Sequence, residues 1–277
     1  MALIMAEEAR TQLVPCYFVF GDSVFDNGNN NDLNTTVKVH YSPYGIDFAR
    51  GPTGRFSNGR NIPDFIAELM GFSDYIPPFA GASPQQKLEK CLYTINIGSN
   101  DYLNNYFMQG DKYNTSRTFT YDQYAEFLIG HFVYVQLLYV QGARKVGLFG
   151  VSKLGCTPRM IASHGGGLGC AAEVNKAVES FNKNLKDLVS EFNTNFNDAK
   201  ITYVDIFTRF TETQKNCCSV ESGAELCAAN KPVCEFRRRY VYWDKVHSTE
   251  AANMFVANSA FAGVTAFPYS LALLAEL

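Results

Sequence analysis

Ser23, Asp244 and His247 are the residues of this 277-residue chain whose types and spacing allow nucleophilic chemistry. Ser23 follows the apolar run Cys16-Tyr-Phe-Val-Phe20 across the short turn Gly21-Asp22. A serine just beyond a strand end stands exposed at the sheet edge, with its own backbone N–H turned toward a developing oxyanion. Read alone, the same string also fits a turn serine or a helix N-cap, because Gly, Asp and Ser are ordinary turn residues. It is not a G-x-S-x-G elbow. Asp244 and His247 stand three apart after the aromatic run Tyr240-Val-Tyr-Trp243. On a turn, that spacing lets the carboxylate hold one imidazole nitrogen while the other takes a proton from serine; a plain local hydrogen bond is the competing reading. Asn100 offers a side-chain amide donor at another strand end, where an oxyanion donor and a turn or cap asparagine are both possible. Of the remaining histidines, His40 lies in a polar loop, His164 sits beside glycines, and His131 falls within an apolar helix and reads as structural. Taken together, the four residues specify an acyl-transfer site: Ser23 as nucleophile, His247 as base, Asp244 as its orienting acid, and the Ser23 N–H with Asn100 as oxyanion hole.

The elements that must position them are short apolar strands alternating with amphipathic helices. Strands are expected at Cys16 to Phe20, Leu92 to Ile97, Lys145 to Phe149 and Ile201 to Ile206, the first as a buried strand. Helices are expected over Pro63 to Met70, Tyr121 to Val140, Ala171 to Phe196 and Thr249 to Phe261. The third carries Val174, Val178, Phe181, Leu185, Leu188 and Phe192 at steps of four and three, which is a core-facing stripe. Ser248 or Thr249 caps the last, with Glu250 in its first turn. Such alternation argues an α/β fold with a mostly parallel sheet covered on both faces, and chemistry beyond the carboxyl ends of its strands. The polar, Gly/Asn-rich stretch Asn27 to Arg60 reads as surface loop. Neither a repeat nor a linker interrupts the chain, so one domain is expected over 14–277.

The 24 Lys+Arg against 27 Asp+Glu give a formal net charge of -3, which supplies no electrostatic footprint for nucleic acid. No apolar run approaches the ~20 residues of a membrane helix. Residues 1–13 turn acidic too soon for a signal peptide and read as an altered or truncated leader. Eight cysteines and two Asn-X-Ser/Thr sequons, at Asn34 and Asn114, point to a secreted, disulfide-bonded protein. The adjacent Cys217 and Cys218, with Cys227 and Cys234, lack the paired C-x2-C spacing of a zinc site, so no metal is expected. Cys156 and Cys170 flank a Gly-rich loop and fit one bridge. Cys91 reads as a small buried hydrophobe.

The motifs Phe18-Val-Phe-Gly-Asp-Ser-Val-Phe-Asp-Asn-Gly-Asn-Asn-Asn31, Ser42-Pro-Tyr-Gly45, Gly54-Arg-Phe-Ser-Asn-Gly-Arg60, Ile97-Gly-Ser-Asn-Asp-Tyr102, Gly155-Cys-Thr-Pro158 and Tyr242-Trp-Asp-Lys-Val-His-Ser-Thr-Glu-Ala-Ala-Asn253 together resemble the plant GDSL esterase/lipases of the SGNH hydrolase superfamily. The resemblance runs from about Val14 to the C-terminus. It implies a flavodoxin-like three-layer α/β/α fold and a serine esterase or lipase that cleaves carboxylic esters, small-molecule or lipid, through an acyl-enzyme. No cofactor is implied. By the same resemblance Ser23 is the nucleophile, Asp244 and His247 complete the triad, and Asn100 is the oxyanion asparagine.

One departure bears on activity. The family carries a glycine-bearing block between the Asn-Gly-Arg and Gly-Ser-Asn-Asp motifs, whereas here Ile76 to Lys90 runs almost directly into the Leu92 strand. An internal deletion is therefore expected, with the altered N-terminus and the short link from Ile206 to Cys217 as further signs of excision. In the family that glycine donates a backbone N–H to the oxyanion. A second reading follows, a non-catalytic derivative that binds a lipid or glycan without turning it over. A phosphate binder built on the Gly21 turn has no G-x-G-x-x-G or G-x-x-x-x-G-K-[ST] to support it.

Overall fold

The computed structural model describes residues 11–78, 88–108, 113–167, 169–206 and 215–277. The expected excision before Leu92, the leader and the link after Ile206 fall largely on residues 1–10, 79–87 and 207–214, outside the described residues. Five strands form one sheet in the order β1 (Tyr17–Gly21), β2 (Leu92–Asn96), β3 (Lys145–Phe149), β4 (Lys200–Val204) and β5 (Ala266–Phe267). The first four are parallel, and β5, too short to leave a periodic signal, closes the far edge antiparallel to β4.

The eight α-helices among the described residues are α1 (Ile62–Leu69), α2 (Thr115–Thr118), α3 (Tyr121–Gly130), α4 (Val133–Val140), α5 (Pro158–His164), α6 (Ala172–Asn195), α7 (Glu250–Phe261) and α8 (Leu271–Glu276). A π-helical segment, Asp101–Phe107, follows β2. Side chains alternate across each strand, so Tyr93 and Ile95 of β2 pack with α3 and α6, while Leu92 packs on the opposite side with α1, α7 and α8. The result is a sheet between two helical layers. α6 buries Val174, Val178, Phe181, Leu185 and Phe192 as its period requires, with Val189 buried where Leu188 is only partly so.

Several expectations need correction. β1 is an edge strand, not a buried one, because β2 is its only partner among the described strands; Phe20 keeps 42% of its surface exposed. The apolar stretch Tyr121 to Val140 is two helices, broken after Gly130, a poor helix former by about 1 kcal/mol against alanine. His131 lies at that break, exposed to solvent beside the Phe127 ring, so it is not an interior residue.

The stretch Asn27 to Arg60 is loop as expected and exposed over much of 29–42, but Asn27 and residues 54–59 are buried, where polar groups satisfy one another. Arg55 grips Asp64 of α1 with two hydrogen bonds, Nε to Oδ2 at 2.6 Å and Nη2 to Oδ1 at 2.8 Å. Asn27 and Arg55 both donate to the Ile76 carbonyl, and Asn61 donates to Asn27. Burial of such groups is tolerable only when they are paired in this way.

All eight cysteines are paired, as Cys16–Cys91, Cys156–Cys170, Cys217–Cys234 and Cys218–Cys227. The second is the bridge the Gly-rich loop predicts. Cys91 is not a lone hydrophobe: the parallel register Tyr17↔Leu92 sets it beside Cys16, with Cα atoms 4.7 Å apart. No helix among the described residues is long and apolar enough to cross a membrane.

Candidate active site

Ser23 sits on the turn that leaves β1, and that turn is pinned to the neighbouring strand by the Asp22 N–H, which donates to the Asn96 carbonyl of β2. Gly21 permits the approach, because a Cβ there would lie 2.9 Å from that same carbonyl oxygen and 2.7 Å from Phe25 Cβ. Asp244 and His247 lie on a tight turn ahead of α7, closed by the Trp243 N–H donating to the His247 carbonyl at 2.7 Å. Thr249, not Ser248, caps α7 by accepting from the Ala252 N–H.

Ser23 Oγ lies 2.8 Å from His247 Nε2, and His247 Nδ1 lies 2.8 Å from Asp244 Oδ2. A carboxylate only accepts, so neutral His247 carries its proton on Nδ1 and Nε2 is left to accept from the Ser23 hydroxyl. Asp244 is fully buried and His247 is 7% exposed. Asp244 Oδ1 also accepts from the backbone N–H groups of Val246 and His247, and Oδ2 accepts from Tyr44 Oη at 2.6 Å.

Burial by itself would push the Asp244 carboxyl up; the His247 charge and the hydrogen bonds from His247 and Tyr44 outweigh it and hold Asp244 below the usual carboxylate range. For His247 burial works downward, and the charge and hydrogen bond of Asp244, with Asp22 and Glu225 behind them, raise it above the ordinary imidazole value. Asp22 is pushed up to about 6, chiefly by burial, against the Val24 N–H bond and the His247 charge.

Asn100 lines the cleft that Ser23 and His247 line, beyond Gly98 (φ 122°) in the turn that follows β2. Its Oδ1 accepts from Asn104 Nδ2 at 3.0 Å, and Asn104 Oδ1 accepts from Arg159 Nη1 at 3.1 Å. Arg159 in turn forms an ion pair with Glu225 at 2.8 Å. A guanidinium has no acceptor, so Arg159 fixes the direction of both amides and leaves Asn100 Nδ2 free to face the cleft. The cleft has a volume of about 1330 Å³, and one wall is β1 itself. Ser23, His247 and Asn100 therefore share one cavity, with Asp244 behind His247. Tyr44, Asp22, Asn104 and Arg159 were not among the residues singled out from sequence. Tyr44 belongs to the Ser-Pro-Tyr-Gly motif, but no local spacing points to a partner 200 residues away.

A hydroxyl hydrogen-bonded to a buried His–Asp pair can attack a carbonyl, and an amide lining the same cleft is the kind of donor that holds an oxyanion. The family model described as GDSL-like Lipase/Acylhydrolase matches residues 17–260. This chain belongs to that family. Two Arabidopsis thaliana GDSL esterase/lipases are 60% and 58% identical to it, aligned over 100% and 99% of this chain and 95% of each relative. The first alignment extends over 334 positions against the 277 residues of this chain, so that GDSL relative has residues with no counterpart here. A solved acetyl xylan esterase aligns at 15% identity and a TM-score of 0.36, covering 90% of this chain and 98% of its own.

Proposed function

We infer that this GDSL protein is a carboxylic ester hydrolase that works through an acyl-enzyme on Ser23. The observation that carries the reading is the unbroken hydrogen-bonded line from Ser23 Oγ through His247 to buried Asp244. Ser23 Oγ attacks the ester carbonyl as its proton passes to His247 Nε2, and the imidazolium is stabilised by Asp244. The same proton is returned to the leaving alkoxide, and His247 then draws a proton from the water that hydrolyses the acyl-enzyme. The chemistry uses these side chains without a cofactor. The rival reading, binding without turnover, is not favoured beside GDSL esterase/lipase relatives of up to 60% identity.

The oxyanion is held by the Ser23 N–H and Asn100 Nδ2. On this proposal the unmatched positions of the relative include the glycine-bearing block, and the oxyanion has these two donors among the described residues. Removing one such donor typically lowers turnover by about 10²- to 10³-fold, which is the expected gap between this chain and relatives that carry the block. Purified protein is expected to hydrolyse 4-nitrophenyl acetate and butyrate above a heat-denatured control; no turnover by folded protein overturns the reading.

Asn104 supplies a sharper test of the donor arrangement. Asn104→Asp keeps the size but removes the donor to Asn100 Oδ1, so Asn100 rotates its amide and presents an oxygen to the oxyanion. Turnover is expected to fall about 10²-fold, further than in Asn104→Ala, where Asn100 stays free to turn either way. Equal losses in steady-state kcat for the two variants contradict this arrangement. Extracellular residence is part of the same proposal, on the four disulfides and the exposed sequon residues Asn34 and Asn114.

A further inference from the structure

Outside the sheet, the bridges Cys217–Cys234 and Cys218–Cys227 staple a lobe with its own small core of Val39, Tyr44, Phe56, Trp243 and the paired cysteines. Tyr44 is fully buried there. Its hydroxyl makes two contacts of opposite sense: it accepts from the Cys227 N–H at 3.1 Å and donates to Asp244 Oδ2 at 2.6 Å. A hydroxyl has one proton, so a donor on its lone pair directs that proton to the carboxylate. Burial beside Asp244 pushes the Tyr44 hydroxyl far above the ordinary phenol value, so it stays a donor. The Cys227 peptide is gripped on its other side by Tyr41, whose hydroxyl donates to the Cys227 carbonyl at 2.9 Å. The partner of Cys227 is equally tied to the site, since the Cys218 N–H donates to the carbonyl of Trp243, the residue before Asp244.

We propose that Tyr44 is a positioning residue of the triad, and that through it the Cys218–Cys227 disulfide holds Asp244 in place. The proposal rests on the esterase reading and deepens it. It gives the disulfide lobe a task besides stability: with the bridge intact, the Cys227 peptide orients Tyr44, and Tyr44 fills the acceptor site on Oδ2 that His247 leaves open. Among the described residues, the ionisable groups facing this carboxylate and imidazole are Tyr41 and Tyr44 from the lobe, Asp22 from the serine turn and Glu225 from the disulfide loop.

The test compares wild type, Tyr44→Phe, Cys218→Ser/Cys227→Ser and the triple variant in kcat, KM and pH profile on 4-nitrophenyl acetate, with near-UV circular dichroism to show each is folded. Tyr44→Phe is expected to lower kcat about tenfold with KM unchanged, the loss of one hydrogen bond to a charged group. Its acid limb is expected to move to higher pH: an Asp244 stripped of that donor concentrates its charge on His247, which then holds its proton more tightly. The cysteine variant is expected to show the same drop and the same shift, and the triple variant no more than either. A wild-type pH profile in Tyr44→Phe overturns the proposal, and so do losses that multiply in the triple variant. Should the cysteine variant not fold, Tyr41→Phe keeps every bridge and removes one grip on the Cys227 peptide. A smaller shift in the same direction supports the proposal there, and an unmoved profile overturns its disulfide arm. Labelling of wild-type Ser23 by a fluorophosphonate separates the outcomes, because no adduct in wild type refutes the esterase reading itself.

Discussion

Ser23→Ala is expected to lower ester turnover by about 10⁴-fold or more, with KM little changed. In the proposed mechanism the substitution removes the one atom that forms the acyl-enzyme and little else. Among the described residues Ser23 Oγ hydrogen-bonds to His247 Nε2 alone, at 2.8 Å, so its loss leaves no buried carboxylate or carbonyl stranded there. The backbone N–H of residue 23 survives as an oxyanion donor, and the Asp22 bond to Asn96 still holds the turn. What remains is the rate that the donors and binding can supply by themselves. The measurement is steady-state hydrolysis of 4-nitrophenyl butyrate by protein free of host esterases. Turnover within about tenfold of wild type would mean another residue is the nucleophile.

Asp244→Asn is expected to cost about 10⁴-fold at neutral pH without unfolding the chain. Asp244 accepts at both oxygens, from the Val246 and His247 N–H groups on Oδ1 and from His247 Nδ1 and Tyr44 on Oδ2. Asparagine satisfies the two backbone donors with its oxygen and turns its NH₂ toward Nδ1. Neutral His247 must then carry its proton on Nε2, where it cannot accept from Ser23. In the wild type the pH dependence has a definite sign. Protonated His247 is inactive as a base, and Asp244 raises its pKa above the ordinary imidazole value, so activity climbs as pH rises through that raised value. Asp22, pushed up to about 6 chiefly by burial, is ionised across that limb, and its charge holds the proton on His247 more firmly. The acid limb of kcat/KM is therefore expected above the free-imidazole range. A limb centred below that range contradicts the charge arrangement described.

The strand ends and the candidate site residues are legible in sequence because both are local. Gly21-Asp22-Ser23 after an apolar run and Asp244 three before His247 are patterns within a few residues of one another, and the structure brings those residues into one hydrogen-bonded line. Helix α6 was legible because its apolar period runs for over twenty residues. The misreadings have a different origin. β1 has the uninterrupted apolar sequence of a strand paired on both sides, and only the strand order reveals it at the sheet edge. Polarity suggests exposure over all of Asn27 to Arg60, whereas Arg55, Asn27, Asn61 and Asp64 satisfy one another in the interior. Cys16 and Cys91 are joined by strand register, which spacing in the chain does not encode. The same holds for Tyr44 and Asp244 and for Arg159 and Asn104, pairs that meet only once the fold has formed.

The central claim is that Ser23 is an activated nucleophile in the folded chain. Treating the purified protein with a fluorophosphonate and locating the adduct by mass spectrometry tests it most directly, because the probe needs an activated serine and not the physiological ester. The account predicts one adduct, on Ser23, forming faster as pH rises through the His247 limb. A chain shown to be folded that gives no adduct, or an adduct on a different serine, contradicts it.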